Sequence, residues 1–220
     1  MKQILTITAI TLFSFSVSAQ SEKFEGAMKA KLENIDKQNS PEDWKDMANS
    51  FERIGDAEKT QWLPYYYAAY CTIQSGYSSL PNDGSMGDNS QIVDPMADKA
   101  EVLLNKAEAM SPDNAEIFVV RKMMHAMRMM GNPMARYMTE TPKATAALNK
   151  AKSLNADIPR IYILEAQDKY FTPEQFGGSK EEAKVLFEKA LSLFDKYKPA
   201  SVISPNWGKP SVQYFLSQYK

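Results

Sequence analysis

The side chains best suited to catalysis are almost absent from this sequence. It contains one histidine, His125, and one cysteine, Cys71. A Ser-His-Asp or Cys-His catalytic unit would have to use one or both of them. Neither lies in a nucleophile motif, and the acidic residues are scattered without a recognisable motif around any of them. We therefore predict that the protein is not an enzyme, that it has no catalytic residue and that it needs no cofactor.

Methionine is concentrated in one short part of the chain, where seven of the 13 methionines fall within 16 residues. They are Met123, Met124, Met127, Met129, Met130, Met134 and Met138. Thioether sulfur is a soft ligand that can hold copper(I), and flexible methionines can also form an adaptable groove for peptides or lipids. The remaining interpretation is an irregular core filled by unbranched side chains. Four- and three-residue spacing of Met123, Met127, Met130 and Met134 favours this last interpretation, as one buried stripe.

Aromatic residues crowd a second segment and wind around a single predicted helix. They are Trp62, Tyr65, Tyr66, Tyr67, Tyr70 and Tyr77. We expect such a helix to be largely enclosed by its neighbours. Buried tyrosine hydroxyls need hydrogen-bond partners, so some of them are also candidates to face a central cavity and a ligand.

The elements that position these side chains are predicted to be helices, because apolar residues recur at three- and four-residue spacing and no stretch alternates convincingly. A Ser, Thr or Asp cap precedes a proline suited to the first helical position in six places. These pairs are Ser40-Pro41, Asp94-Pro95, Ser111-Pro112, Thr141-Pro142, Thr172-Pro173 and Ser204-Pro205, and at least four should begin helices. Ser179 with Glu182 adds a capping box. The predicted helices span 22–37, 41–54, 60–77, 95–110, 114–130, 142–154, 159–171, 180–197 and 209–218.

Three of these helices share a small, large, small pattern at offsets of four and three residues. The triplets are Ala100, Leu104, Ala107; Ala144, Leu148, Ala151; and Ala183, Phe187, Ala190. A small residue lets a neighbouring helix approach closely, while the large one fills the groove beside it. The pattern predicts an array of repeated helical units.

The first triplet, followed by Pro112, resembles the second-helix signature of tetratricopeptide (TPR) repeats. Phe118 and Tyr162 stand where that family places its first-helix aromatic residue. The stretch 171–178, followed by Ala183 and 187–191, is similar to divergent TPR proteins that act as periplasmic T-components of TRAP solute transporters. The resemblance implies an all-α array of TPR-like helical hairpins, in which the signature residues serve packing.

The N-terminus carries an export pattern, with Lys2, an apolar run over 4–15 and the small residues Val17-Ser18-Ala19. We predict a signal peptide over 1–19, cleaved after Ala19, followed by a single repeat domain over 20–220 in the periplasm or outside the cell. No later stretch is long enough to span a membrane. Because 26 basic residues balance 27 acidic ones, nucleic acid is not an expected partner.

The sequence thus favours an exported, non-catalytic scaffold that binds a peptide, a protein segment of the cell envelope or a small apolar ligand on its inner surface. The residues predicted to line that surface are Tyr66, Tyr70, Met123, Met127, Ile163, Gln167 and Tyr170. Two alternatives stay open, namely a ligand-carrying accessory protein of a TRAP-type transporter and a methionine-rich protein that handles copper(I). No metal ligand set is assigned.

Overall fold

The computed structural model describes residues 22–81 and 87–219, and these fold into nine α-helices without a β-strand. The helices are α1 (22–32), α2 (Pro41–Glu58), α3 (Leu63–Ser79), α4 (Ser90–Met110), α5 (Ala115–Gly131), α6 (Pro133–Leu154), α7 (Pro159–Phe171), α8 (Lys180–Lys196) and α9 (Lys209–Ser217). The all-α prediction is confirmed, and each predicted helix has its counterpart. The signal-peptide prediction lies outside the described residues.

Neighbouring helices pack as a series of hairpins, with α3 against α4, α5 against α6 and α7 against α8. All nine residues of the small, large, small triplets are buried. The alanines therefore serve close helix contact, as the sequence predicts. Helix α3 is enclosed along most of its length, because 13 of its 17 residues are buried.

Helix starts follow the capping rules only in part. The Ser40 hydroxyl accepts a hydrogen bond from the Asp43 amide, and the Asp43 carboxylate accepts one from the Ser40 amide, so α2 begins with a complete capping box. Ser179 caps α8 through the Glu182 amide. Of the six cap-and-proline pairs, however, Ser40-Pro41 is the one that begins an α-helix, so the expectation of at least four was wrong.

The largest correction concerns α6, which begins at Pro133 and contains Pro142 in its interior. The Asn132 side chain caps this helix by accepting a hydrogen bond from the Ala135 amide. Likewise, α4 begins at Ser90 and contains Pro95. Proline removes one amide donor, and hydrogen bonds and packing in the rest of each helix outweigh that loss.

Arg136 fixes the beginning of α6 against α4. Its Nη2 donates to the Asp94 carboxylate at 2.8 Å and to the Ser90 hydroxyl at 3.0 Å, and its Nη1 donates to the Arg128 carbonyl at 3.0 Å. The hydrogen bond from Arg136 holds the pKa of the Asp94 carboxyl below its ordinary value. The pair therefore stabilises the fold when Asp94 is ionised.

Acid is expected to remove this contribution. Because the folded-state pKa of Asp94 is lowered, the stabilisation is complete above the unfolded-state pKa of about 4 and is lost as pH falls through the folded-state value. Urea unfolding at a series of pH values from 7 to 3 should therefore show a shallower acid loss in Asp94→Asn than in the unaltered protein. If the free energy of unfolding falls equally steeply below pH 4 in both proteins, the Asp94–Arg136 pair is not the source of the acid sensitivity.

Residues 197–208, here called the C-terminal strap, run back across the inner side of the array. The Tyr67 hydroxyl donates to the Ile203 carbonyl at 3.2 Å, and the Trp207 indole donates to the Tyr66 hydroxyl at 2.9 Å. The Trp207 ring stacks on Tyr70 with centroids 4.8 Å apart. Trp207 thus covers the side of α3.

Candidate ligand-binding cleft

The hairpin series is interrupted between α6 and α7, which meet at only a few positions, whereas each of the helices α2 to α5 packs along the next helix. The gap forms an open cleft of about 340 Å³. Its lining residues are Thr145, Leu148 and Asn149 of α6, Glu165, Asp168 and Lys169 of α7, and Leu186 of α8. This volume falls at the lower end of the range of about 300–1,000 Å³ that is usual for small-molecule sites.

The charged residues of the cleft already have partners. Lys122 of α5 is buried and donates to Asp168 at 2.7 Å, and Lys152 donates to Glu165 at 2.6 Å. Lys169 lies 2.7 Å from Glu182. The charges around the apolar side chains of Leu148 and Leu186 are therefore balanced in ion pairs. The cleft carries no large excess of positive or negative charge.

Two methionines extend this surface beyond the cleft. Met134 and Met138 are 84% and 80% exposed, although methionine is usually buried. They lie eleven and seven residues before Thr145 on α6, and at 3.6 residues per turn these separations bring all three side chains to one face of the helix. Met134 and Met138 thus form an exposed thioether surface on α6, N-terminal to the cleft, which we call the methionine rim.

The methionine cluster is therefore divided. Met123, Met124 and Met127 are buried in α5. The predicted single buried stripe ends there, because α5 stops at Gly131 and a new helix begins at Pro133. Met130 is partly exposed, and Met134 is fully outside the core.

Most of the predicted ligand surface is covered in the fold. Five of its seven residues are buried, and the other two, Gln167 and Tyr170, are half-buried. The buried residues are Tyr66, Tyr70, Met123, Met127 and Ile163. The C-terminal strap is the physical reason at α3, because Trp207 occupies the face that Tyr66 and Tyr70 would otherwise present. Tyr170 points toward α9, where its ring meets Phe215 at a centroid distance of 5.2 Å.

Under the strap lies a buried ion pair between Arg160 of α7 and Glu116 of α5. The Arg160 Nε donates to Glu116 at 2.9 Å, and its Nη2 donates to Glu116 and to the Tyr197 hydroxyl. Burial alone would lower the pKa of Arg160, but the Glu116 carboxylate raises it overall, so the guanidinium stays charged. A second open cavity of about 290 Å³ lies beside this pair, between Trp62, Leu154 and Pro205.

The remaining candidate groups are occupied or inaccessible. The His125 Nδ1 lies 2.8 Å from Glu140 of the paired helix. Cys71 is fully buried, and burial raises the pKa of its thiol. Within 22–81 and 87–219 no group of three or more His, Cys, Asp and Glu side chains converges as a metal site, and no helix is long and apolar enough to cross a membrane.

Sequence reasoning missed the cleft residues because no motif marks them. Thr145, Asn149 and Asp168 are ordinary polar residues of amphipathic helices. Their shared position depends on the divergence of α6 from α7, which arises from long-range packing. The methionine cluster is a usable signal, although its four- and three-residue spacing favours a buried stripe.

Hairpin packing and an open, partly apolar cleft define an all-α helical array. No family model and no curated protein matches the sequence. Among solved structures, the chain is similar to the HusA haemophore from Porphyromonas gingivalis, with 30% sequence identity and a TM-score of 0.76. The similarity covers 89% of this chain and 92% of that one. The chain therefore belongs to the same family as this haemophore.

Proposed function

We propose that the protein binds haem or a closely related porphyrin in the cleft between α6 and the α7–α8 hairpin, and that it carries the ligand without chemically changing it. The proposal is carried by the similarity to a haemophore over nearly the whole chain. The cleft supports it, because it joins an apolar floor to an exposed apolar rim.

A planar apolar ligand needs two facing walls. One wall is the face of α6 that carries Leu148, Thr145 and the methionine rim. The other is formed by Leu186 of α8 and by the end of α7. Phe176, in the segment that follows α7, is 67% exposed and adds an aromatic side chain to the surface near the end of that helix.

The binding energy in such a site comes mainly from apolar contact. Burial of apolar surface contributes about 25 cal/mol per Å², and a porphyrin ring offers two large apolar faces. Partial exposure of the ligand at the open mouth also suits a carrier that must release its cargo to a receiver.

Filling the cleft is expected to weaken porphyrin binding. Thr145 is exposed and lines the cleft, so Thr145→Trp places an indole in the ligand space without disturbing the core. Titration with haem and with metal-free protoporphyrin, followed by absorbance and tryptophan fluorescence, should show at least a roughly tenfold weaker affinity in this variant, equivalent to about 1.4 kcal/mol.

Thr139→Trp is the matched control. Thr139 is also exposed on α6, but six residues from Thr145 it points about 120° away from the cleft. We expect this variant to bind porphyrin as the unaltered protein does. Equal affinity of both tryptophan variants would exclude the cleft as the site, and absence of porphyrin binding by the unaltered protein would exclude the proposed function.

This function replaces a broad peptide-binding scaffold as the leading interpretation. The proposal keeps three of the sequence-based predictions: TPR-like hairpins, export after cleavage at Ala19, and a periplasmic or secreted location. A haem carrier outside the cytoplasm is consistent with all three. Copper(I) handling has less support, because Met123, Met124 and Met127 are buried. A TRAP-type carrier calls for an enclosed channel, whereas both cavities described above are open.

A further inference from the structure

We propose that the buried ammonium group of Lys122 binds a carboxylate of the cargo, and that Asp168 is its counter-ion only until the ligand carboxylate replaces it. In a porphyrin this carboxylate is one of the two propionate groups. The inference rests on the proposed function, and it adds a residue that selects free acids over neutral esters. The exchange breaks one ion pair and forms another, so no covalent bond changes.

Lys122 is a buried lysine whose counter-ion lies at the surface of the cleft. The residue is 4% exposed, and its Nζ donates to the Asp168 carboxylate at 2.7 Å. Asp168 lines the cleft with a side chain that is 57% exposed, whereas Lys122 lies behind it on α5. The Asp168 carboxylate therefore stands between the ammonium group and the cleft. Rotation of this one side chain toward water opens the ammonium group to a ligand.

The ammonium group of Lys122 has hydrogen-bonding capacity to spare. A lysine side chain carries three N–H donors. Among residues 22–81 and 87–219, the Asp168 carboxylate is the one hydrogen-bond and ion-pair partner of Lys122 Nζ. The buried Arg160 differs, because its guanidinium contacts both Glu116 and the Tyr197 hydroxyl. An unsatisfied buried donor costs free energy, and an acceptor on a ligand relieves that cost.

The exchange of counter-ions favours a ligand that joins a carboxylate to an apolar body. Asp168 is already more than half exposed, so water solvates its carboxylate after release at little cost. The apolar part of the cargo packs against Leu148 and Leu186 and excludes water from the new ion pair. A charged hydrogen bond is stronger where water is excluded. A neutral ester gains the apolar contact alone.

Lys169 is the competing site for the carboxylate, because it is the lysine of the cleft lining. Its ammonium group lies 2.7 Å from the Glu182 carboxylate and donates to the Gly177 carbonyl at 3.2 Å. The side chain is also 38% exposed, and exposed ion pairs contribute little free energy. We therefore assign the carboxylate to Lys122, and a Lys169 variant tests this choice.

The test compares protoporphyrin with its dimethyl ester, which keeps the ring and removes both negative charges. Affinities for the two are measured by absorbance and tryptophan fluorescence in the same dilute non-ionic detergent. Lys122→Met leaves no buried charge behind, because Asp168 is exposed, so the variant should fold as judged by circular dichroism. We expect it to bind the free acid about tenfold more weakly and the ester within about twofold of the unaltered protein.

Asp168→Asn should act in the opposite direction. Both substitutions break the same ion pair, so a purely structural role of the pair predicts weaker binding in both variants. The asparagine amide oxygen still accepts a hydrogen bond from Lys122, but it carries no charge that competes with the ligand. We expect this variant to bind the free acid about threefold more tightly. Lys150→Met is the control, because Lys150 is an exposed lysine of α6 outside the cleft lining, and it should change neither affinity.

Weaker binding of the free acid in both Lys122→Met and Asp168→Asn would overturn the inference and give the pair a structural role. A loss in Lys169→Met without a loss in Lys122→Met would overturn it in favour of Lys169. Equal affinities of the unaltered protein for the free acid and the ester would also overturn it, while porphyrin binding itself would stand. If the unaltered protein binds neither compound, the proposed function fails and this inference fails with it.

Discussion

Replacing Arg160 by methionine is expected to destabilise the fold by about 3–5 kcal/mol, because the change leaves the Glu116 carboxylate buried without its partner. Arg160 is fully buried, and Tyr197 also loses the hydrogen bond from Nη2. The loss should appear in urea unfolding at pH 7, followed by circular dichroism, as a lower midpoint with a similar slope.

A second substitution separates loss of charge from loss of shape. The double variant Arg160→Met with Glu116→Leu removes both charges. Its free energy of unfolding should therefore return much of the way from that of the single variant to that of the unaltered protein. Lys209→Met is the surface control, since the Lys209–Asp195 pair is exposed, and it should cost less than about 1 kcal/mol. A loss below about 1 kcal/mol in the single Arg160 variant would show that the buried pair does not hold α7 to α5.

Replacing Phe187 by alanine is expected to cost about 3–5 kcal/mol, because it opens a cavity in the core between α8 and α9. The Phe187 ring is fully buried and stacks on Phe215 with centroids 4.7 Å apart. Since Phe215 is a principal anchor of α9, the last helix should also become accessible to proteases. Urea unfolding and limited proteolysis, with mass spectrometry of the fragments, measure both effects.

Phe171→Ala is the matched control for this substitution. Phe171 also approaches Phe215, at 5.8 Å, but it is 67% exposed. Its removal leaves no enclosed cavity, and we expect a loss below about 1 kcal/mol with α9 still protected. Equal effects of the two substitutions would mean that the stacked pair is not the contact that holds α9.

The helices could be predicted from the sequence because local periodicity determines them. The alanines of the three triplets repeat at offsets that bring them to one helix face, and all of them are buried. Proline positions were less informative. Pro142 and Pro95 lie inside helices, since hydrogen bonding on either side of each proline and packing against neighbouring helices outweigh the loss of one donor.

The site could be predicted only in part, because it depends on which helix faces meet. Tyr66 and Tyr70 have the amphipathic rings expected of a ligand surface, but Trp207 covers them from 141 and 137 residues further along the chain. No local pattern reports a contact at that separation. Conversely, Thr145 and Asp168 look like solvent-facing residues until α6 and α7 diverge. The proposal of haem as the ligand comes from the similarity to a haemophore and not from a residue pattern.

The long reach of the C-terminal strap has a consequence for the order in which the protein can mature. Tyr67 and Tyr66 are hydrogen-bonded to residues 136 and 141 positions further on, so these two contacts form only after residues 203 and 207 have been synthesised. Local hairpins form early, whereas contacts between distant parts of a chain form late. The cover over α3 is therefore completed only after the strap has been synthesised, whereas the α2–α3 hairpin can form without it.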